Sequence, residues 1–240
     1  MFRLIRGLLR LIIGVAVLVA MVFGGLDLYF RTADHVGSQV LAAVRNKVRA
    51  DHVHTLAYAD IPAAFREAVV ATEDRRFAWD PGIDPIGIVR SLIIDVEKDG
   101  YVEGGSTLTQ QVVDNTIITH KKSLHRKLVQ AIDAIGVYDT LNKQTIFDVY
   151  ANVVYFGAGA YGLYNAAETY FGRTPAALNK GELTLLAGLP NAPSLYDPFQ
   201  SLPLARARQH IVLDNMVDNG TLTAKQVQTI WHEPIRLRKP

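Results

Sequence analysis

The sequence predicts a mainly α-helical domain carried behind one membrane-spanning helix. Three features lead there: an uncharged apolar run near the start, apolar residues recurring every three or four positions afterwards, and helix start and stop residues bordering those segments. Few stretches alternate with period two, so strands are expected to be a minor component.

The run Leu11–Leu26 carries no charge and continues through Asp27 to Phe30. A helix rises about 1.5 Å per residue, so about 20 apolar residues cross a hydrocarbon core of roughly 30 Å. Arg3, Arg6 and Arg10 precede the run. Basic residues flanking a leading segment stay cytoplasmic. Residues 1–10 therefore read as a cytoplasmic tail, 11–30 as a transmembrane anchor, and the rest as lying outside. A secretory signal has an apolar core of only about 7–15 residues, shorter than this run. Residues 31–54 form a membrane-proximal connector, with Val40, Ala43, Val44 and Val48 on one helical face.

The remaining elements follow in order. Asp60 is placed to cap a helix that buries Phe65, Ala68, Val69 and Thr72 and delivers Glu73 and Asp74 at its end. Asp84-Pro85 opens a helix with Ile86, Val89, Ile93 and Val96 at helical spacing, closed by Gly100. Gly104-Gly105-Ser106 punctuates the chain before another helix. Ser123 caps a helix with Leu124, Leu128, Ala131, Ile132 and Ile135 buried. Further helices are expected at Lys143–Tyr155, Gly162–Tyr170, Lys180–Gly188 and Leu204–Asn219, and Thr223–Gln226 matches a capping box. The aromatic-glycine ends Phe156-Gly157 and Phe171-Gly172 read as helices closed by glycine.

The chain has no cysteine, which excludes thiolate catalysis and zinc–thiolate clusters. A net charge of +2 is too small to argue for nucleic acid. The seven histidines show no pair at metal-ligand helical spacing, so no histidine metal site is expected.

Three groups of residues could carry chemistry. Glu73-Asp74, at a helix end, can project a carboxylate into a cleft as a general base; taken alone, it also suits a solvated helix end. Gly104 to Gln111 combines two glycines with Ser106, Thr107, Thr109, Gln110 and Gln111. Such a turn lets a ligand approach the backbone, whose N–H groups suit phosphate oxygens. Lys121, Lys122, Arg126 and Lys127 form a basic cluster. Lys122, Arg126 and Gln130 share one helical face, which could neutralise a departing pyrophosphate or simply be solvated.

Together these segments resemble the family 51 glycosyltransferases, the peptidoglycan glycosyltransferases. The likeness runs in order from about Ile61 to Ile230. Glu73-Asp74-Arg-Arg-Phe77 with Gly82 and Asp84 resembles the family's first motif, and Gly104–Gln111 its second. Arg126-Lys127 opens the third, Tyr150-Ala-Asn152 through Gly157 resembles the fourth, and Ala166 to Gly172 the fifth.

The resemblance implies a lysozyme-like lobe over residues 55–240 with a smaller membrane-proximal jaw, in a bacterial cytoplasmic membrane with the N-terminus inside. It implies polymerisation of lipid II. Glu73 would activate the acceptor hydroxyl, and undecaprenyl pyrophosphate would leave with inversion. Gln130 stands at the second catalytic position. Asp74, Gly104, Gly105, Ser106, Thr107, Gln110, Gln111, Lys122, Arg126, Lys127 and Asn152 would bind substrate. A divalent cation, Mg or Mn, assists in some members. The implied partners are lipid II, the nascent glycan strand, membrane lipid, and cell-wall synthases or proteins of the division or elongation machinery.

Five positions depart from the family pattern. Gln130 replaces a glutamate, Asp114 a lysine, Asp80 a histidine, and Phe147-Asp148 a leucine-glutamate pair. An amide cannot serve as a base. An anion in place of a cation reverses the sign of its interaction with phosphate, worth about 4 kcal/mol per charge at 4 Å and an effective dielectric near 20. Two readings compete: a divergent working transferase, or a pseudoenzyme that binds lipid-linked glycan or scaffolds partners. A lysozyme-type hydrolase needs Glu73 protonated as an acid and fits the basic cluster less well.

Overall fold

The computed structural model describes residues 35–88, 90, 105–118 and 123–238, with scattered positions between 6 and 29. The expected anchor at 11–30 lies largely outside the described residues, and so does most of the helix expected after Pro85. Gly104, Lys121 and Lys122 are outside them too. Among the described residues, no helix is long and apolar enough to cross a membrane.

The described chain is helical. In chain order the helices are α1 (Val36–Ala50), α2 (Ala63–Glu73), α3 (Leu108–Thr116), α4 (Leu124–Thr140), α5 (Lys143–Val153), α6 (Leu163–Phe171), α7 (Lys180–Gly188), α8 (Pro198–Asp218) and α9 (Ala224–Trp231). Among the described residues, β pairing is confined to an isolated bridge between Tyr155 and Tyr161.

The bundle has two packed groups around one core. α7 is its centre on one side, with every residue from Gly181 to Gly188 buried. A helix covered all round is expected to lack a polar face, and Leu183, Leu185, Leu186 and Ala187 supply that composition. α2 and α8 pack on α7 and on each other. On the other side α3 packs between α4 and α5, and α1 crosses all three. Phe65 meets Phe156, and Phe77 meets Phe147, with ring centres about 6 Å apart.

Most helix starts follow the expected chemistry. Ser123, Asn142 and Thr223 each accept a hydrogen bond from a first-turn N–H, as does Asn179 in a capping box with Glu182. Asp60 does not cap α2. It lies in a 3-10 turn, Tyr58–Asp60, and α2 begins after Pro62. The reason is local: Ile61 precedes a proline, which disfavours helical backbone there, and Ile61 has ψ 122°.

Other differences have similar causes. α5 ends at Val153, and Gly157 (φ +94°) turns the chain in the following loop rather than capping a helix. Gly172, at φ +63°, does close α6. α8 starts at Pro198, six residues early, but breaks at Ser201 just before Pro203. On α4, Ile135 is buried, whereas Leu128 is 65% exposed and Ile132 43%. Helical spacing identified an apolar stripe but not what covers it.

Gly82 ties the loop after α2 to α4. Its φ is +86°, and a Cβ there would lie 2.3 Å from the carbonyl oxygen of Ala134. Both the left-handed backbone and the close approach require glycine. Gly82→Ala should therefore destabilise the protein by at least about 2 kcal/mol, lowering the thermal midpoint by roughly 5 °C. An unchanged melting curve would show that the loop is not held against α4.

Candidate active site

The site begins at the end of α2. Glu73 is the last residue of that helix, and Asp74 leaves it with non-helical backbone (φ −156°, ψ 77°). The two neighbouring carboxylates therefore separate. Glu73 stays partly accessible, with its side chain 13% exposed. Asp74 turns inward and is only 4% exposed.

Asp74 joins the loop after α2 to the start of α3. Its Oδ2 accepts the backbone N–H of Leu108 at 3.0 Å. Thr107 caps α3 reciprocally with Gln110, and its hydroxyl donates to the carbonyl of Gly82 at 2.6 Å. The side chains of Thr107 and Gln110 thus build the corner. Ser106, half-buried before it, stays at the edge with Gly105.

One turn along α3, Gln111 reaches back to Glu73. Its Nε2 donates to Glu73 Oε2 at 2.8 Å. Arg208, on α8, places Nη2 at 3.5 Å from the other oxygen, with its own side chain 11% exposed. Arg208 also lies over the ring of Tyr196, 6.0 Å from its centre. Gln111 and Arg208 both donate to the carboxylate and fix its orientation from two elements far apart in sequence.

The α4 face completes the arrangement. Arg126 Nη1 lies 2.6 Å from Asp114 Oδ1. Lys127 Nζ donates to Ser106 Oγ at 2.6 Å. Gln130, fully buried, donates from Nε2 to the carbonyl of Gln110 at 3.2 Å. Arg126 and Gln130 thus brace α3 one turn apart, and Gln130 acts as a neutral strut.

Electrostatics mark the corner. Burial, with the negative charge of Asp80 added, pushes Asp74 up to about 7 despite the Leu108 N–H. Burial also raises Asp80, against the pull of Lys143 at 3.1 Å. Lys127 is lowered by burial. The Tyr150 hydroxyl is buried without a hydrogen-bond partner, and burial with the charge of Glu73 raises it well above its usual range.

The structure thus brings together Glu73, Asp74, Gly105, Ser106, Thr107, Gln110, Gln111, Arg126, Lys127 and Gln130. Asn152 is elsewhere: its amide pairs with both the N–H and the carbonyl of Leu56, each at 2.8 Å. That pair of hydrogen bonds fastens the segment before α2 onto α5. Arg208 and Lys143 were missed by sequence reasoning, and Tyr150 was read only as part of the fourth motif. Arg208 sits in an ordinary amphipathic helix, and nothing near it in sequence signals a cleft.

Among the described residues, the acidic side chains around this corner do not form a site for a resident metal ion. Asp80 is paired with Lys143 and Asp114 with Arg126. Among the described residues, no three histidine or acidic side chains come together to hold one.

Comparison with known proteins gives a consistent set of relatives. A model of the transglycosylase family matches residues 38–217. Penicillin-binding protein 1A of Aquifex aeolicus (strain VF5) is 40% identical over 179 residues, 75% of this chain and 25% of that protein. The protein of the same name from Escherichia coli (strain K12) is 39% identical over 175 residues, 73% of this chain and 21% of that one. A crystal structure of penicillin-binding protein 1A from Haemophilus influenzae aligns with a TM-score of 0.48 and 24% identity, over 78% of this chain and 18% of that chain. The chain spans about a quarter or less of the length of these curated relatives.

Proposed function

This chain belongs to the family 51 glycosyltransferases, matched by their transglycosylase model, and from that membership we propose that it polymerises lipid II into glycan strands. The observation that supports this most is Glu73. Its carboxylate is partly exposed and oriented by Gln111 and Arg208, with the cationic side chains of α4 bonded to the neighbouring α3 and to Ser106 just before it.

In the proposed reaction the 4-hydroxyl oxygen of the acceptor sugar attacks the anomeric carbon of the donor chain. Its proton passes to a Glu73 carboxylate oxygen as the new carbon–oxygen bond forms. The bond to undecaprenyl pyrophosphate breaks, and its electron pair leaves with the phosphate oxygen. Lys127, Ser106 and Arg126 would receive that charge. Nucleophile and leaving group lie on opposite faces of the sugar, so the configuration inverts. The anchor at 11–30 would hold the cleft beside a membrane-borne substrate. Leu128 and Ile132, one turn apart on α4, are exposed and would suit an apolar environment.

The test is purified full-length chain with labelled lipid II, with Mg and Mn each supplied, read as glycan polymer. No polymer under any condition would remove the transferase reading. The Asp114–Arg126 pair and the neutral Gln130 favour the second reading, a protein that binds lipid-linked glycan without polymerising it. Retained lipid II binding without turnover would establish that alternative.

Arg208 gives a separate prediction. Arg208→Gln should lower the turnover rate by roughly 10²-fold, with KM within about threefold, because it misplaces the base without removing a substrate contact. Equal loss in KM and turnover would make Arg208 a substrate ligand instead.

A further inference from the structure

The two described cations of the α4 start are both engaged, but in different ways. Lys127 is held by the neutral hydroxyl of Ser106. A hydroxyl both accepts and donates, so it can keep the ammonium and turn its O–H toward an incoming anion. Arg126 is held by a carboxylate, Asp114, through a charge-assisted contact at 2.6 Å. An anion reaching Arg126 meets a negative charge already in place.

That contact is open to exchange. It uses Nη1 of Arg126, while its Nε is buried with no hydrogen-bond partner. The guanidinium fork is therefore incompletely used, and a phosphate can take two of its N–H groups where Asp114 is seen on one. Asp114 is 30% exposed, so it can swing into water when displaced. Arg126 cannot follow easily, since its side chain is 18% exposed and packs against α3 beside the Gln130 strut.

We propose that Asp114 is a built-in counter-ion on the Arg126 anion contact, so that a pyrophosphate group binds first through Lys127 and Ser106 and gains Arg126 only by displacing Asp114. This rests on the proposed function only in placing a pyrophosphate here. It makes Asp114 a positioning residue that sets how strongly the leaving group is held.

The test is titration of the full-length chain with inorganic pyrophosphate at fixed ionic strength. Lys127→Met should weaken wild-type binding at least tenfold, and Arg126→Gln by less than twofold. Asp114→Asn should tighten binding at least fivefold, and Asp114→Ser likewise, which guards against one variant folding poorly. The gain should vanish in Asp114→Asn combined with Arg126→Gln. Unchanged or weaker binding in both Asp114 variants would overturn the proposal. So would a gain that survives without Arg126, or no measurable binding by any variant. Absence of glycan polymer alongside the expected affinity pattern would remove the transferase reading alone. Polymer formation without that pattern would remove the counter-ion alone.

Discussion

Glu73→Gln should abolish glycan polymerisation, lowering the rate by at least about 10³-fold while leaving the fold intact. General-base assistance contributes roughly 10²–10⁴-fold. An amide has no basic oxygen, so the whole of that contribution is lost. The fold should survive because Glu73 is not a core residue. It is partly exposed, at the end of its helix, and bonded to Gln111 and Arg208. The glutamine can still accept from one of those donors. Lipid II affinity measured beside the rate should change by less than about threefold. A variant that keeps a tenth of the wild-type rate would exclude Glu73 as the base. Asp74 could not take its place, since it is buried against the start of α3.

The sequence was informative wherever function and local structure share a signal. Glycines, caps and a carboxylate at a helix end are local features, and they located α2, α3, α4 and the corner between them. Thr107 and Gln110 were read as ligands, yet their side chains close on each other and on Gly82. A polar residue that caps a helix and one that binds substrate look alike in sequence. Asn152 is the stronger case. Its amide sits among apolar neighbours of α5, and only the fold reveals that Leu56, 96 residues earlier, is its partner.

Long-range electrostatic partners were not legible. Arg208 is 135 residues from Glu73 and meets it because α2 and α8 both pack on α7. Asp114 could be seen in sequence as a reversed charge, but not as a partner of Arg126. The pairing changes its meaning. An unpaired anion would repel phosphate outright, whereas a paired one sets a threshold for binding.

The corner beneath the base carries the second large effect, on stability. Asp74 is buried, and its ionisation is pushed up to about 7 from an ordinary value of 3.8. Burial is the largest cause, Asp80 adds to it, and the Leu108 N–H and Lys143 oppose it. A carboxyl that holds its proton more tightly when folded makes the folded state bind more protons between those two values. The contribution of Asp74 to stability should therefore be greatest below about pH 4, fall as pH rises toward 7, and level off above it. At about 1.4 kcal/mol for each pH unit between the two values, the charged form costs about 4 kcal/mol at pH 8. Asp80 is raised in the same direction and steepens the same fall. Asp74→Asn removes the charge while keeping an oxygen to accept the Leu108 N–H. The variant should be less sensitive to pH, with a thermal midpoint several degrees above wild type at pH 8 and equal or lower at pH 4. A variant destabilised equally at both pH values would mean that the Asp74 charge is compensated in the folded protein. Turnover of Asp74→Asn tests a further point: a rate within about tenfold of wild type at pH 8 would separate this structural carboxyl from the proposed base one residue earlier.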